Sequence, residues 1–211
     1  MIALRIKEGD MEKKDKKDNR MFLSTGKLIL ASLTLSFVMI LLTYGAVVGM
    51  RQKHLEQQAD TTLFETMRLA DFEGGTYTSE QLKNSKLTVI NIWETTCSAC
   101  LSEMPDLQVV YQNLDPNEVQ LIGMCADVVE KDGTVKEDYL AEAKDLLEQA
   151  GCTFPQLIPD ETAFTFIRSF VSGFPTTVFL DSNGKIIGST AGSRSAEEWL
   201  ELIGTYLDSV S

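Results

Sequence analysis

Two cysteines three positions apart, in Cys97-Ser98-Ala99-Cys100, are the residues of this chain best suited to chemistry. Thiols at that spacing fit within one helical turn and can close a small disulfide ring. Such a pair exchanges with other disulfides: a thiolate attacks, a mixed disulfide forms, and the second thiol resolves it. The same spacing suits a structural disulfide or half of a zinc site, although zinc needs two more soft ligands. Cys125 and Cys152 are formally available but do not form a second Cys-x-x-Cys. The one histidine, His54, lies in a polar stretch, which excludes histidine triads and histidine-containing metal sites. No cofactor is expected beyond a redox-active Cys97–Cys100 disulfide, and no metal.

These thiols need a scaffold. Leu87–Trp93 is an apolar, β-rich run and reads as a buried central strand. Residues 97–114 have helical spacing, with Leu101, Met104, Leu107, Val110, Tyr111 and Leu114 on one side. Pro105 removes a hydrogen bond within that helix and is expected to kink it. A strand running into a helix places the thiols at the helix N-terminus, where unpaired N–H groups and the helix dipole favour a thiolate. Residues 64–71 read as a short strand, and 79–82 as a helical turn. A second buried strand spans 119–126, and an amphipathic helix 137–149 stops at Gly151. A short strand at 154–158 and a short helix at 161–170 follow. Two strands, 176–181 and 185–189, join through Asn183-Gly184, a hairpin signal. A closing helix, 195–207, opens with Ser195-Ala196-Glu197-Glu198, close to a capping box. This order describes one α/β domain. Cys125 ends one predicted strand and Cys152 starts the next, so in a parallel pair they lie beyond disulfide reach. Both read as buried small hydrophobes or free thiols.

The chain has 211 residues and a formal net charge of −12. That charge is uneven: residues 1–53 hold ten Lys/Arg and five Asp/Glu, leaving nine basic and 26 acidic residues beyond, net −17. An outer domain that acidic repels nucleic acid and anionic membrane surfaces, and no nucleic-acid partner is expected. From Leu28 to Met50, 23 residues carry no charge, long enough to cross a bilayer as a tilted helix. Eight Lys/Arg precede this run, and only Arg51 and Lys53 follow closely. The positive-inside bias puts the N-terminus in the cytoplasm and the remainder outside. A cleaved signal peptide is the competing reading, but its apolar core is shorter and Gly45-Ala46-Val47-Val48-Gly49 is a poor cleavage site. The expected organisation is a disordered cytoplasmic tail at 1–27, a signal-anchor helix at 28–50, a linker at 51–62 and an extracytoplasmic domain at 63–211. The expected location is the cell membrane, single-pass.

The segment Asn91-Ile92-Trp93-Glu94-Thr95-Thr96-Cys97-Ser98-Ala99-Cys100-Leu101-Ser102-Glu103-Met104-Pro105 resembles the active-site segment of the TlpA/ResA-like, membrane-anchored thioredoxin-fold oxidoreductases. Gly173-Phe174-Pro175-Thr176-Thr177 resembles their cis-proline loop. The resemblance spans roughly residues 64–207. It implies a thioredoxin-like fold, a central mixed sheet flanked by helices with an inserted helix and strand. The 78 positions between Cys97 and Pro175 suit that insertion. It also implies that Cys97 attacks, Cys100 resolves, Glu103 tunes the thiols and Pro175 is cis. Trp93, Phe174 and Thr176 are then the candidate substrate-contact residues, with simple core as the alternative for Trp93. The aspartate that plain thioredoxins bury two residues before the tryptophan is Asn91 here, and Glu94 is a weaker, exposed candidate base. Thr96 replaces the family's usual aromatic, and Ser98-Ala99 carries neither the usual proline nor a histidine, which points towards a reductase. The partners implied are oxidised client proteins and a membrane reductant-transfer protein. A peroxidase of the related peroxiredoxin group requires Pro-x-x-x-Thr-x-x-Cys, where Ile90 and Glu94 stand instead. A non-catalytic adapter domain is the other alternative.

Overall fold

The computed structural model describes residues 63–210 together with 39–40 and 43–45. The expected tail at 1–27, most of the expected span at 28–50 and the linker at 51–62 lie outside the described residues. Among the described residues no helix is long and apolar enough to cross a membrane.

The elements run α1 (Leu63–Thr66), β1 (Arg68–Asp71), β2 (Thr76–Thr78), α2 (Ser79–Leu82), β3 (Leu87–Trp93), α3 (Ser98–Asn113) and β4 (Val119–Cys125). There follow α4 (Glu137–Gln149), β5 (Gln156–Ile158), α5 (Glu161–Phe170), β6 (Thr176–Asp181), β7 (Ile186–Ala191) and α6 (Ala196–Val210). One expectation fails at the start. Residues 64–71 do not form a single strand: the chain is helical over Leu63–Thr66 and extended only from Arg68. The reason is tertiary, since Leu63 and Phe64 turn inward and Phe64 meets the Phe166 ring edge-on at 5.3 Å. Helix α3 continues through Pro105, which sits exposed inside it.

The seven strands form one mixed sheet in the order β2-β1-β5-β4-β3-β6-β7. Strands β3, β4 and β5 are parallel, while β6 runs antiparallel to β3 and β7 antiparallel to β6. All seven residues of β3 are buried, as expected of a strand covered on both faces. Alternation decides which face each residue serves. Leu87, Val89 and Trp93 join the core shared with Cys100, Met104, Leu107, Trp199 and Ile203, under α3 and α6. Ile90 and Ile92 join the opposite core with Phe64, Leu82, Phe166 and Ile167, under α1, α2 and α5. Asn91 therefore points to the α3/α6 side. Turn and cap chemistry is as the sequence implies. Gly151 and Gly184 have positive φ, Asp181 accepts the N–H groups of Asn183 and Lys185, and Ser195 and Glu198 exchange capping hydrogen bonds.

Candidate active site

Parallel strands β3 and β4 end together, with Trp93 opposite Cys125, and antiparallel β6 begins beside them, with Thr176 opposite Ile92. The loops leaving these ends gather at one edge of the sheet. This carboxyl edge is where open α/β sheets place their sites. The loop after β3 carries Cys97, and the loop before β6 carries the cis Phe174–Pro175 bond.

Cys97 and Cys100 are joined by a disulfide. Cys97 is the N-cap of α3, with extended backbone, and its Sγ accepts the Cys100 N–H at 3.1 Å. A thiolate there meets the unpaired first-turn N–H groups and the positive end of a 16-residue helix. Cys97 is half-buried and Cys100 is fully buried, so a partner reaches the first sulfur and not the second. That asymmetry suits attack by one and resolution by the other.

Glu103 lies one turn beyond Cys100 and is 2% exposed. Its Oε1 accepts from Asn91 Nδ2 at 3.0 Å. Its Oε2 accepts from the Arg194 N–H at 3.0 Å and from Trp199 Nε1 at 3.4 Å. Burial pushes its carboxyl above the ordinary glutamate range, and the donors from Arg194, Asn91 and Trp199, with the Arg194 charge, pull the other way. A carboxyl raised in this way sits nearer to neutral pH, where it can exchange a proton. Asn91 also donates to Thr177 Oγ1, while its own Oδ1 is buried without a protein partner.

The loop between Trp93 and Cys97 is tied down by Asp127. Its carboxylate accepts the Thr95 N–H at 3.0 and 3.1 Å, Thr95 Oγ1 at 2.6 Å and Cys125 Sγ at 3.2 Å. Burial first, then Asp127, hold the Cys125 thiol far above its usual range, so it stays protonated. The Cys152 thiol is pushed by burial to about 11 and bonds to Met104 O. Both cysteines are free, consistent with the spacing argument.

Of the expected substrate-contact residues, Phe174 alone is accessible. Trp93 is fully buried and its indole N–H is satisfied by Gln156 Oε1 at 3.0 Å. It belongs to the core because its strand is covered on both faces, which corrects the expectation of a contact surface. Thr176 is 5% exposed and its hydroxyl is engaged by Gly173 O, so its side chain is likewise turned in. Pro175 is buried and its carbonyl accepts the Gly192 N–H at 2.9 Å. Phe174 borders a groove of about 320 Å³ with Glu94, Asp127, Lys136, Phe164 and Arg168. Glu94 is half-buried, not exposed, and burial raises its carboxyl together with the nearby Asp127. Asp127, Arg194 and Trp199 are contributors that the sequence reading missed. Asn91 left one signal, an amide inside an apolar run that had to find buried partners.

Comparison with known proteins agrees with this fold. The AhpC/TSA family matches residues 60–189. The chain is 27% identical over 130 residues to the thiol-disulfide oxidoreductase ResA of Bacillus cereus (strain ZK / E33L), covering 62% of this chain and 68% of that one. A ResA of Oceanobacillus iheyensis is 23% identical over 216 residues, 98% of this chain and 97% of its own. In fold the chain resembles a thioredoxin-family thiol:disulfide interchange protein of Chlorobium tepidum TLS. That match has a TM-score of 0.56 at 20% identity and covers 67% of this chain and 93% of the other. A half-buried sulfur capping a helix with a buried sulfur behind it suits disulfide exchange, and a raised carboxyl lies one turn further along the same helix. The chain belongs to the AhpC/TSA family, and within it to the ResA/TlpA-like thiol–disulfide oxidoreductases.

Proposed function

We propose that this thiol–disulfide oxidoreductase is tethered to the membrane, works on the extracytoplasmic side and reduces disulfides in client proteins. The Cys97–Cys100 disulfide at the N-terminus of α3, with one sulfur open and the other closed off, carries the reading. In the reduced enzyme the Cys97 thiolate attacks one sulfur of a client disulfide. That S–S bond breaks, a Cys97–client bond forms, and the first client sulfur leaves as a thiolate that takes a proton. Cys100 then gives its proton to Glu103 and attacks the Cys97 sulfur. The second client thiolate departs, Cys97–Cys100 closes, and two electrons have passed to the client. A membrane reductant-transfer protein restores the dithiol. The 23-residue uncharged run and the basic flank before it support the tether and its orientation.

The test uses the full chain. The wild type is expected to reduce insulin disulfides with dithiothreitol as electron source, and Cys97→Ser to lose at least about 1,000-fold of that rate, since Cys100 and Cys125 are buried and the half-buried Cys152 thiol stays protonated at neutral pH. Cys100→Ser is expected to accumulate a mixed disulfide with a client through Cys97. Equal rates for wild type and Cys97→Ser would leave a non-catalytic adapter. A membrane-impermeant thiol reagent applied to intact cells should label Cys97 after reduction; labelling only after lysis would overturn the outward placement.

A further inference from the structure

The turn between β7 and α6 reaches back onto the redox helix at two points. The Arg194 N–H donates to Glu103 Oε2 at 3.0 Å, and the Ala196 N–H donates to Asp106 Oδ1 at 3.1 Å. Glu103 and Asp106 lie one turn apart on α3, so this segment clamps one edge of that helix. Arg194 holds the turn in shape. Its Nη1 donates to Gly192 O at 2.9 Å and its Nη2 to Thr190 Oγ1. Its guanidinium lies over the Trp199 ring, 5.0 Å from the centroid, and the same indole sends its N–H to Glu103 Oε2. Gly192, two residues earlier, donates to the Pro175 carbonyl at 2.9 Å. One short segment therefore joins the buried acid to the cis-proline loop.

We propose that Arg194 is a positioning residue of the redox site, which holds the turn and the Trp199 indole against Glu103 and supplies the positive charge that keeps this buried carboxylate ionisable. The inference rests on the reading of Glu103 as the proton acceptor for Cys100. The guanidinium is turned towards Gly192 and Thr190, so it acts on Glu103 through space and through the two N–H groups it orients. The other groups around Glu103 are neutral or anionic. Asn91 comes from β3, Thr177 stands behind Asn91 on β6, Trp199 comes from α6, and Cys100 and Asp106 share its own helix. Glu103 is buried while Arg194 is half-buried, so the guanidinium charge adds to the pull of the N–H donors from Arg194, Asn91 and Trp199, which is the larger effect on the proton.

The experiment is the pH profile of Cys97 alkylation in the reduced full chain. It compares wild type, Arg194→Gln, Arg194→Lys, Glu103→Gln and the Arg194→Gln/Glu103→Gln double variant. Glutamine keeps hydrogen-bonding capacity at Arg194 and removes the charge, while lysine keeps the charge. Arg194→Gln is expected to move the Glu103 inflection up by at least about half a pH unit, an approximately three-fold change in the ionised-to-protonated ratio. Arg194→Lys is expected to stay near wild type, and the double variant to match Glu103→Gln. An Arg194→Gln profile that overlays wild type, or that shifts equally in the Glu103→Gln background, overturns the role of Arg194. A Glu103→Gln profile that keeps the wild-type inflection overturns the Glu103 reading itself and the inference with it.

Discussion

Asp127 accepts four hydrogen bonds, three of them from Thr95, and so controls the loop that delivers Cys97 to the helix. Thr95 is buried, and without the carboxylate its N–H and hydroxyl are left with no acceptor. Asp127→Ala is expected to cost about 1–3 kcal/mol, the usual penalty for orphaned buried donors, read as a lower denaturation midpoint. It is also expected to make the Cys97–Cys100 disulfide more easily reduced by dithiothreitol, because the loop no longer presents the two sulfurs in one geometry. An unchanged midpoint would show that Thr95 finds another acceptor. No local pattern points to Asp127, because it meets its partner from 32 positions away. Arg194 meets Glu103 from 91 positions away and left no signal either. By contrast Cys97, Cys100 and Glu103 sit within one local stretch, and their spacing makes them legible.

At the scale of elements, strand β4 must approach β5 closely enough for Gln156 to cross to Trp93. Gly123 stands opposite Gln156, and a Cβ there would lie 2.0 Å from its Oε1, the atom that accepts the Trp93 N–H. Gly123→Ala is expected to displace that amide and orphan the buried indole N–H. The cost is about 1–3 kcal/mol, measured by chemical denaturation with tryptophan fluorescence as the probe. Stability equal to wild type would mean that Gln156 swings aside freely. Elements whose identity rests on local rules fall where the sequence puts them, as with Leu87–Trp93, Glu137–Gln149 and Glu161–Phe170. The miss at 64–71 is instructive. Apolar residues over so few positions fit a strand or a helical turn equally, and the docking of Phe64 on Phe166 decides between them.

Across the whole molecule, overall acidity and two raised carboxyls, buried Glu103 and half-buried Glu94, shape the response to pH. The native state raises the Glu103 carboxyl above its value in the unfolded chain. Between those two values the folded protein binds a proton at Glu103 that the unfolded chain does not, so the stability that Glu103 contributes is fully present below the ordinary glutamate range and is lost as pH rises through the raised value. Thermal unfolding of the oxidised protein from pH 4 to pH 8 is expected to show that decline, and Glu103→Gln to flatten it. A decline of equal slope in the variant would assign it to Glu94 and general repulsion in the acidic domain instead of Glu103. The sequence by itself determined the redox pair, the helix that carries it, the α/β class and the charge asymmetry. Each of these rests on spacing, periodicity or composition within a short reach of chain. Only the tertiary structure decided that Trp93 and Thr176 face inward, that Glu103 is buried, and that Asp127, Arg194 and Trp199 surround the site. Those facts depend on which strands pair and which helices pack over them, and contacts between residues distant in the chain are not written in any local pattern.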